Sequence, residues 1–402
     1  MTGLVLALAL AAQAVVPPPL AVEGDPATRL VWVRSFASAG DDWINDIVPL
    51  GGGRHLAVGF LDRGDGSDWR ALAASFGEDG TMLSTREYGQ GGGIDAFWNA
   101  APAAEGGLAF AGFTTRIGAG GIDAWALFAD AAGAMLREQS FGGAGYDRFT
   151  DVAAAADGHV FIGHSQPPGE ERRRLFAVRT DADGTTRWER IIEGPESISP
   201  LYIEPAGDGG FIVAGGIGGD ILVMKLDGDG RELWRRAVGT PEADDTNHGL
   251  ALRPNGKIVV VGYSQSWGAR GNDILAVTLS SGGDVLSREM YGGAGDDRPR
   301  LVTADARGRM WIVGSTTSAG AGGSDALLVR LDASGRFEPG AVTIGGPADE
   351  IGTTVRRLAD GSALVAGYGT APGAGGEDAF VARVSAPGFD RAHPAFVRRA
   401  IP

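Results

Sequence analysis

Aspartates placed beside glycines are the residues of this sequence whose type and spacing could do chemistry. They recur about every fifty residues, in two sets of glycine-rich segments. The first set is Asp42, Asp95, Asp147, Asp245, Asp297 and Asp349, and the second is Asp68, Asp123, Asp220, Asp273, Asp325 and Asp378. Carboxylate oxygens on flexible loops suit Ca²⁺, and they also accept hydrogen bonds from sugar hydroxyls. The pattern predicts a cation or polyol site, with Asp147, Asp297, Asp123, Asp325 and Asp378 as the candidate metal ligands.

The best match to a known calcium motif is the segment from Gly142 to Phe149, which fits the form G-G-x-G-x-D-x-U. That motif binds Ca²⁺ because tandem copies stack their half-sites, whereas the copies here stand about fifty residues apart. The alternative is that each aspartate accepts hydrogen bonds from its own turn or ties neighbouring repeats together. Recurrence in nearly every copy favours this structural alternative, so the sequence predicts no obligatory cofactor and leaves Ca²⁺ as the candidate ion.

A second candidate site is basic and belongs to the third copy alone. Where four other copies have an aspartate, this copy has Arg174, at the end of the segment PPGEERRR. The fourth copy shortens the same loop. Arg172, Arg173 and Arg174, with Glu170 and Glu171 beside them, are therefore candidates to bind an anionic ligand or a partner's carboxylates. The alternative is a solvated loop in which the arginines pair with Glu170 and Glu171.

The elements that position these residues follow from one repeated glycine near the end of an apolar run. It occurs in seven copies, spaced 47 to 53 residues apart, as Gly59, Gly112, Gly163, Gly215, Gly262, Gly314 and Gly367. Each copy divides into four short strands. Pairs such as Asp157-Gly158 and Asp183-Gly184 stand at tight turns, where glycine supplies a positive φ. Each copy is therefore predicted to form one antiparallel sheet.

A lone sheet of about fifty residues cannot bury both faces, so the copies must stack, and a ring leaves only short edges. The sequence predicts an all-β fold, a seven-bladed β-propeller with four antiparallel strands per blade. The segment RLVWVRSF, from Arg29 to Phe36, resembles the fourth strands of later copies and is predicted to close the ring. Pro394 to Ile401 is a rival for that place. Trp32, Trp188 and Trp234 fall at one blade position, which indicates packing between blades.

The domain organisation follows from these boundaries. Residues 1–14 contain the apolar run LVLALALAA and a small-x-small site, so they are predicted to be a signal peptide that directs the chain to the periplasm or the exterior. Residues 15–28 form a proline-rich spacer, residues 29–388 the propeller, and residues 389–402 a C-terminal tail. No segment is long and apolar enough to predict a transmembrane helix.

Composition excludes several classes of function. Lys plus Arg is 35 and Asp plus Glu is 50, and the net charge of −15 disfavours nucleic acid as a partner. The chain has no cysteine, so no thiolate can act as a nucleophile or metal ligand. The five histidines are scattered without a zinc-binding pattern, and there is no G-x-S-x-G sequence.

The repeat pattern is YGG-x-G-x-D, a DG turn, VAG, GAGG-x-D and LD-x-x-G with a tryptophan. It resembles the β-propeller repeat proteins of bacterial and archaeal secreted and surface proteins, over residues 29 to about 388. That resemblance implies a binding or scaffold module and carries no catalytic residues across. The pattern is more distantly similar to quinoprotein propellers, which usually have eight blades and a vicinal cysteine pair. Seven copies without cysteine argue against bound pyrroloquinoline quinone.

The function predicted from the sequence is a non-catalytic binding or scaffold propeller of the cell envelope or secreted space, with a protein or glycan partner. The alternative is a propeller enzyme, either a glycan hydrolase or lyase or a quinoprotein-like oxidoreductase. A propeller hydrolase would need two or more carboxylates placed by single blades against the central channel.

Overall fold

The computed structural model describes residues 20–64, 66–89, 92–103, 106–239, 246–267, 269–370, 376–385 and 388–401. The proposed signal peptide, the start of the spacer and Asp245 lie outside these residues. The described chain contains thirty β-strands and no α-helix. It accordingly has no helix with the length and apolar character needed to cross a membrane.

The strands follow one another in groups of four along the chain, preceded by β1 (Ala21–Glu23) and β2 (Leu30–Phe36). The first three groups are β3 (Asp42–Gly51), β4 (Arg54–Asp62), β5 (Asp68–Gly77) and β6 (Met82–Tyr88); β7 (Gly93–Pro102), β8 (Leu108–Thr114), β9 (Asp123–Ala129) and β10 (Met135–Phe141); and β11 (Tyr146–Ala155), β12 (Gly158–Gln166), β13 (Arg174–Asp181) and β14 (Thr186–Ile192).

The later groups have the same form. They are β15 (Ile198–Pro205), β16 (Phe211–Ile217), β17 (Asp220–Leu226) and β18 (Glu232–Val238); β19 (Thr246–Leu252), β20 (Ile258–Ser264), β21 (Asp273–Leu279) and β22 (Val285–Gly292); β23 (Asp297–Ala304), β24 (Met310–Thr316), β25 (Asp325–Leu331) and β26 (Phe337–Gly345); and finally β27 (Glu350–Arg357), β28 (Ala363–Thr370) and β29 (Glu377–Val384), followed by β30 (Val397–Ile401).

Within each group the strands pair antiparallel in chain order, but the seven separate four-stranded sheets that the sequence predicts are not found as such. The described residues form six hydrogen-bonded sheets, of four, five or eight strands. The eight-stranded sheet arises because β5 and β7 pair in parallel over two residues each, which joins the first two groups. Two sheets gain a fifth strand, because β1 pairs with β26 and β30 pairs with β22.

The first strand of every group lies innermost, and these inner strands form a closed ring. Each contacts the next in the order β3, β7, β11, β15, β19, β23 and β27, and β27 contacts β3 again. The apolar core lies between neighbouring sheets. One cluster, for example, packs Ile162 of β12 against Met224 of β17. The fold is therefore a β-propeller, whose central channel is lined by the inner strands.

The N-terminal strand closes the sheet of the last copy. β2 pairs antiparallel with β29, so it takes the fourth position of that sheet, as its similarity to later fourth strands predicts. The rival C-terminal segment lies elsewhere, as the fifth strand beside β22. The predicted packing between copies is also present. The ring of Trp188 lies against Gly230 of the following group, where an added Cβ would come within 2.5 Å of it.

Candidate functional site

A β-bulge interrupts every inner strand at the point where it faces the repeated glycine. In β11, Phe149 pairs with Gly163 and Asp151 with Ile162, which leaves Thr150 as the extra residue. The backbones approach so closely here that a Cβ on Gly163 would lie 1.8 Å from the carbonyl oxygen of Arg148. Only glycine fits such an approach, so the bulge explains why the glycine repeats.

The extra residue of each bulge lines one cavity of about 200 Å³ in the central channel. These residues are Asn45, Trp98, Thr150, Leu201, His248, Arg300 and Thr353. The β-bulge that directs these side chains into the channel is present in every copy, whereas the side chains themselves differ in chemical type. Bulges commonly re-aim side chains next to active sites. This ring of differing side chains is therefore the candidate functional site.

Three of the bulged residues have a structural task. Each donates a hydrogen bond to a backbone carbonyl of the next inner strand: Asn45 Nδ2 to Phe97 at 2.8 Å, Thr150 Oγ1 to Pro200 at 3.1 Å, and Thr353 Oγ1 to Ile44 at 2.5 Å. These bonds tie neighbouring inner strands together around the channel.

The upper part of the channel, where the inner strands begin, is cationic and aromatic. Arg148 and Arg300 both line the cavity, and neither forms an ion pair with any described residue. The guanidinium carbon of Arg148 lies 5.4 Å from the ring centre of Trp98. Burial lowers the pKa of Arg148, Tyr146 opposes this, and the charge of Arg173 adds to the lowering. The channel thus holds two arginine side chains that have no ion-pair partner among the described residues, although the charge of Arg300 also acts on Glu377.

His248 is the other titratable group at this level. Its ring stacks on Tyr263 with 5.4 Å between ring centres. Burial, followed by the charges of Arg300 and Arg298, lowers the pKa of His248 to about 3. The imidazole is therefore neutral at ordinary pH and adds no charge to that of the arginines.

The lower part of the channel is a second cavity of about 300 Å³, lined by carboxylates from single copies. Asp46, Asp151 and Glu204 lie there with Arg356, and Asp46 also lines the upper cavity, so the two are continuous. Asp46 Oδ1 accepts hydrogen bonds from Arg356 Nη2 at 2.7 Å and from Thr354 Oγ1 at 2.9 Å. Burial raises the pKa of Asp46, while Arg356 and Thr354 oppose the rise.

Glu204 and Asp151 differ in how the protein holds them. Burial raises the pKa of Glu204 to about 7, with only Arg356 opposing it, and its side chain is half-buried at the cavity wall. Asp151 is buried, and its Oδ2 accepts the Ile203 N–H at 2.8 Å. Burial raises the pKa of Asp151 well above its usual value, and Glu204 and Asp46 add to this. Glu204 is thus the carboxyl poised to give or take a proton near neutral pH.

Tyr202 connects the two levels of the channel. Its hydroxyl donates to the carbonyl oxygen of Arg300 at 2.6 Å, so its side chain reaches from β15 past β19 to β23. Burial raises the pKa of Tyr202, which keeps the phenol protonated. The hydrogen bond also fixes the backbone beside Arg300.

The structure does not bring the candidate metal ligands together. Four of them accept the backbone N–H four residues earlier in their own turn: Asp147 from Gly143, Asp297 from Gly293, Asp123 from Ala119 and Asp325 from Ala321, at 2.7 to 3.2 Å. Asp378 is buried near the start of β29, and burial raises its pKa. The described part of the chain contains no group of three or more residues able to hold a metal ion. The geometry agrees with the structural alternative, while calcium binding stays a prediction.

The basic segment divides into paired and unpaired arginines. Arg174 pairs with Glu170 at 2.6 Å and with Glu193 at 3.2 Å. Arg172 donates to the Gly194 carbonyl at 3.1 Å, and Glu171 is exposed. Arg173 forms no ion pair with a described residue, and its charge acts on Arg148 in the channel. Only Arg173 thus connects this segment with the channel site.

No family model matches this chain, and no curated protein is similar to it in sequence. Solved structures are similar in fold. An ulvan lyase matches with a TM-score of 0.50 and 12% identity over 83% of this chain and 93% of that chain. A gluconolactonase from Xanthomonas campestris matches with a TM-score of 0.39 and 16% identity over 73% and 90%. An α-L-arabinofuranosidase from Fusarium graminearum matches with a TM-score of 0.44 and 10% identity over 71% and 91%.

These comparisons overturn one prediction. The ulvan lyase is an enzyme, so the prediction of a non-catalytic binding or scaffold module is contradicted, and the alternative of a propeller enzyme is the one taken up below. At 10% to 18% identity the likeness itself establishes only the fold. The resemblances to secreted repeat proteins and to quinoprotein propellers are not confirmed. The reaction must therefore be argued from the channel.

Proposed function

We propose that this protein is a propeller enzyme that hydrolyses glycosidic bonds in its central channel. The observation that carries the proposal is the lining of the lower cavity by Asp46, Asp151 and Glu204, each from an inner strand of a different copy. Paired carboxylates in different protonation states are the usual machinery of glycoside hydrolysis. The flat face of Trp98 at the adjoining cavity offers an apolar surface to a sugar ring.

The proposed roles follow from the protonation states. Glu204, protonated at pH values below about 7, donates its proton to the glycosidic oxygen as the bond to the anomeric carbon breaks. Asp46, whose carboxylate form the ion pair with Arg356 favours against the effect of burial, takes a proton from the water whose oxygen bonds to the anomeric carbon. Each product gains a hydroxyl group, and solvent exchange returns both carboxyl groups to their starting states.

Replacement of the two carboxyl groups tests this function. Glu204→Gln and Asp46→Asn should each lower the rate of glycan cleavage by about 100-fold or more, because each removes a proton-transfer group. The measurement is the release of reducing ends from a panel of neutral and acidic polysaccharides, with the product masses determined. Hydrolysis adds one water to each bond cleaved.

Glu189→Gln is the matched control, because Glu189 is an exposed residue of the outer strand β14 and should leave the rate unchanged. Products with an unsaturated sugar end would contradict hydrolysis and indicate elimination. Full activity of both channel variants, or no cleavage of any glycan by the unaltered protein, would contradict the proposed site.

We also propose that the ring has seven blades, with the eight-stranded sheet counting as two of them. The continuous contacts of the inner strands support this, since the parallel pairing of β5 with β7 spans only two residues in each strand. The proposed enzyme would work in the periplasm or outside the cell, if residues 1–14 act as the export signal that their sequence predicts.

A further inference from the structure

We infer that the glycan bound in this channel is acidic, and that Arg148 and Arg300, approached through Arg173, bind its carboxylate or sulfate groups. This inference rests on the proposed function and adds the class of substrate. It starts from an imbalance of charge inside the channel. The chain carries fifteen more acidic than basic residues, yet these arginines form no ion pair with a described residue.

The arginines are partly removed from water, which makes the missing partner significant. All three are half-buried. The Nε atom of Arg148 is buried and has no hydrogen-bond partner among the described residues. Among the residues that the structure describes, the one side-chain hydrogen-bond partner of Arg300 is the Tyr368 hydroxyl, at the long distance of 3.4 Å. Tyr146 is a side-chain partner of Arg148, but neither guanidinium has an anionic partner at ion-pair distance among the described residues. A partly desolvated guanidinium without such a partner is costly, and an incoming anion would satisfy it with charge-assisted hydrogen bonds.

The surroundings of the arginines favour an anionic sugar over a small free anion. Trp98 lies beside Arg148 and presents an apolar face, while neutral His248 and Tyr263 lie beside Arg300 and Arg298. A sugar ring can pack against these faces while its acidic group reaches a guanidinium. The same cavity includes Asp46, so an acidic sugar bound to the arginines extends toward the carboxylates that would cleave it.

Arg173 gives the channel a charged approach from the rim. It precedes β13 in the loop where the other copies carry aspartate, and its charge reaches both Arg148 and His164. Its neighbours Arg172 and Arg174 are engaged with Gly194, Glu170 and Glu193. An acidic chain would therefore meet Arg173 first and then Arg148 and Arg300 inside the channel, which steers it inward.

Binding to the full chain carrying Glu204→Gln tests the inference without relying on turnover. Calorimetry compares three probes of equal length: an oligogalacturonate, a sulfated malto-oligosaccharide and the neutral malto-oligosaccharide. We expect at least one acidic probe to bind about 10-fold or more tightly than the neutral one, since only the acidic probes can form charge-assisted hydrogen bonds with the arginines. The carboxylate and sulfate arms distinguish the two sources of negative charge.

Arg148→Gln and Arg300→Gln should each remove most of the preference, Arg148→Lys should restore part of it, and Arg236→Gln, on the exposed face of β18, should leave it intact. Equal binding of acidic and neutral probes, an unchanged preference in both glutamine variants, or no binding of any probe would overturn the inference. The proposed function fails separately: a Glu204→Gln protein that still cleaves glycans contradicts the hydrolytic role of Glu204, whatever the probes show.

Discussion

Glu204 lies at a position where other inner strands carry small apolar residues, such as Ala153 in β11 and Ala251 in β19. Burial is the largest cause that raises the pKa of Glu204, and the charge of Arg356 opposes it. Asp46 is more deeply buried and has Arg356 within 2.7 Å, which opposes the rise of its pKa. The pKa values of the two carboxyl groups in one cavity are therefore set by different neighbouring residues.

The pKa of Glu204 predicts how stability depends on pH. The folded value of about 7 lies above the ordinary value of 4.5, so the folded protein binds this proton more tightly than the unfolded chain. Its stabilising effect is complete below pH 4.5 and is lost as the pH rises through about 7. Glu204→Gln should therefore gain about 2 kcal/mol in unfolding free energy, relative to the unaltered protein, between pH 5 and pH 8. Urea unfolding at both pH values measures this, and an equal pH response of the two proteins would refute it.

Sequence reasoning found the repeated carboxylates and missed the ones in the channel. The turn hydrogen bonds of Asp147 and Asp297 agree with the structural alternative, because side-chain bonds within a turn are local. Asp46 and Glu204 gave no local signal. They stand out only when the inner strands of the copies are aligned with one another, because an acidic residue at these positions departs from the repeat. When departures from the repeat are sought only in the loops, they indicate the basic segment instead.

The bulged inner strand is the element through which the repeated copies form the channel site. The strand itself repeats because its apolar residues pack against neighbouring sheets, and the bulge repeats because a glycine lies opposite. In the copy that contains β15 and β16, Gly215 lies opposite the bulge and Gly216 is its neighbour. Comparing the two separates the effect of the close backbone approach from the effect of having a glycine in the strand. A Cβ on Gly215 would lie 2.2 Å from the Ser199 carbonyl oxygen, whereas one on Gly216 meets nothing closer than 4.0 Å.

This pair provides a matched test of the bulge. Gly215→Ala should lower the unfolding free energy by about 3 kcal/mol, because backbone must move to admit the methyl group. It should also impair catalysis, since the bulge positions the strand that carries Glu204. Gly216→Ala should change stability by less than about 1 kcal/mol. Urea unfolding of both variants measures this difference. Similar losses of unfolding free energy in the two variants would mean that the close backbone approach is not the reason for a glycine at position 215.

The regular glycine spacing was enough to predict the strands but not the bulges. Strand periodicity is carried within one segment, whereas a bulge is a property of two paired strands and depends on their register. A glycine near the end of an apolar run can equally mark a turn at the end of a strand. The close backbone approach that requires glycine at position 163 exists only between β11 and β12 once they are paired in their observed register.

At the scale of the whole molecule, the ring is closed by residues far apart in sequence. β2 pairs with β29, and Trp32 Nε1 donates to the Glu78 carbonyl at 2.9 Å. Arg383 Nη1 donates to the same carbonyl at 2.7 Å. The seam between the last copy and the first is therefore held by an N-terminal strand in the sheet of the C-terminal copy.

Truncation tests this seam. A chain that starts at residue 37 lacks both β1 and β2 and leaves β29 as an exposed edge, so it should lose cooperative thermal unfolding and aggregate. A chain that starts at residue 29 lacks β1 alone and should unfold cooperatively with a modestly lower Tm. Calorimetry and size-exclusion chromatography compare the two. Equal Tm values would show that β2 is not required to close the ring.

The all-β propeller can be predicted from the sequence, whereas the sequence indicates a catalytic function only as the alternative to a binding module. The fold follows from a repeated unit that cannot bury its own faces. The channel exists only once every inner strand has met its neighbours, so Asp46 in β3 and Glu204 in β15 are brought together by the complete ring. Such long-range assembly leaves no trace in the spacing of any motif.

The bulge has a consequence for how such a protein can change over generations. Because Gly163 and its equivalents fix the backbone, a mutation at Trp98, Leu201, His248 or Arg300 alters what the channel presents while the glycine contacts that shape the strands remain in place. Duplicated genes with this fold can therefore diverge in ligand preference through a few codons, one in each copy of the repeat. The same four positions form a compact target for laboratory selection of new specificities.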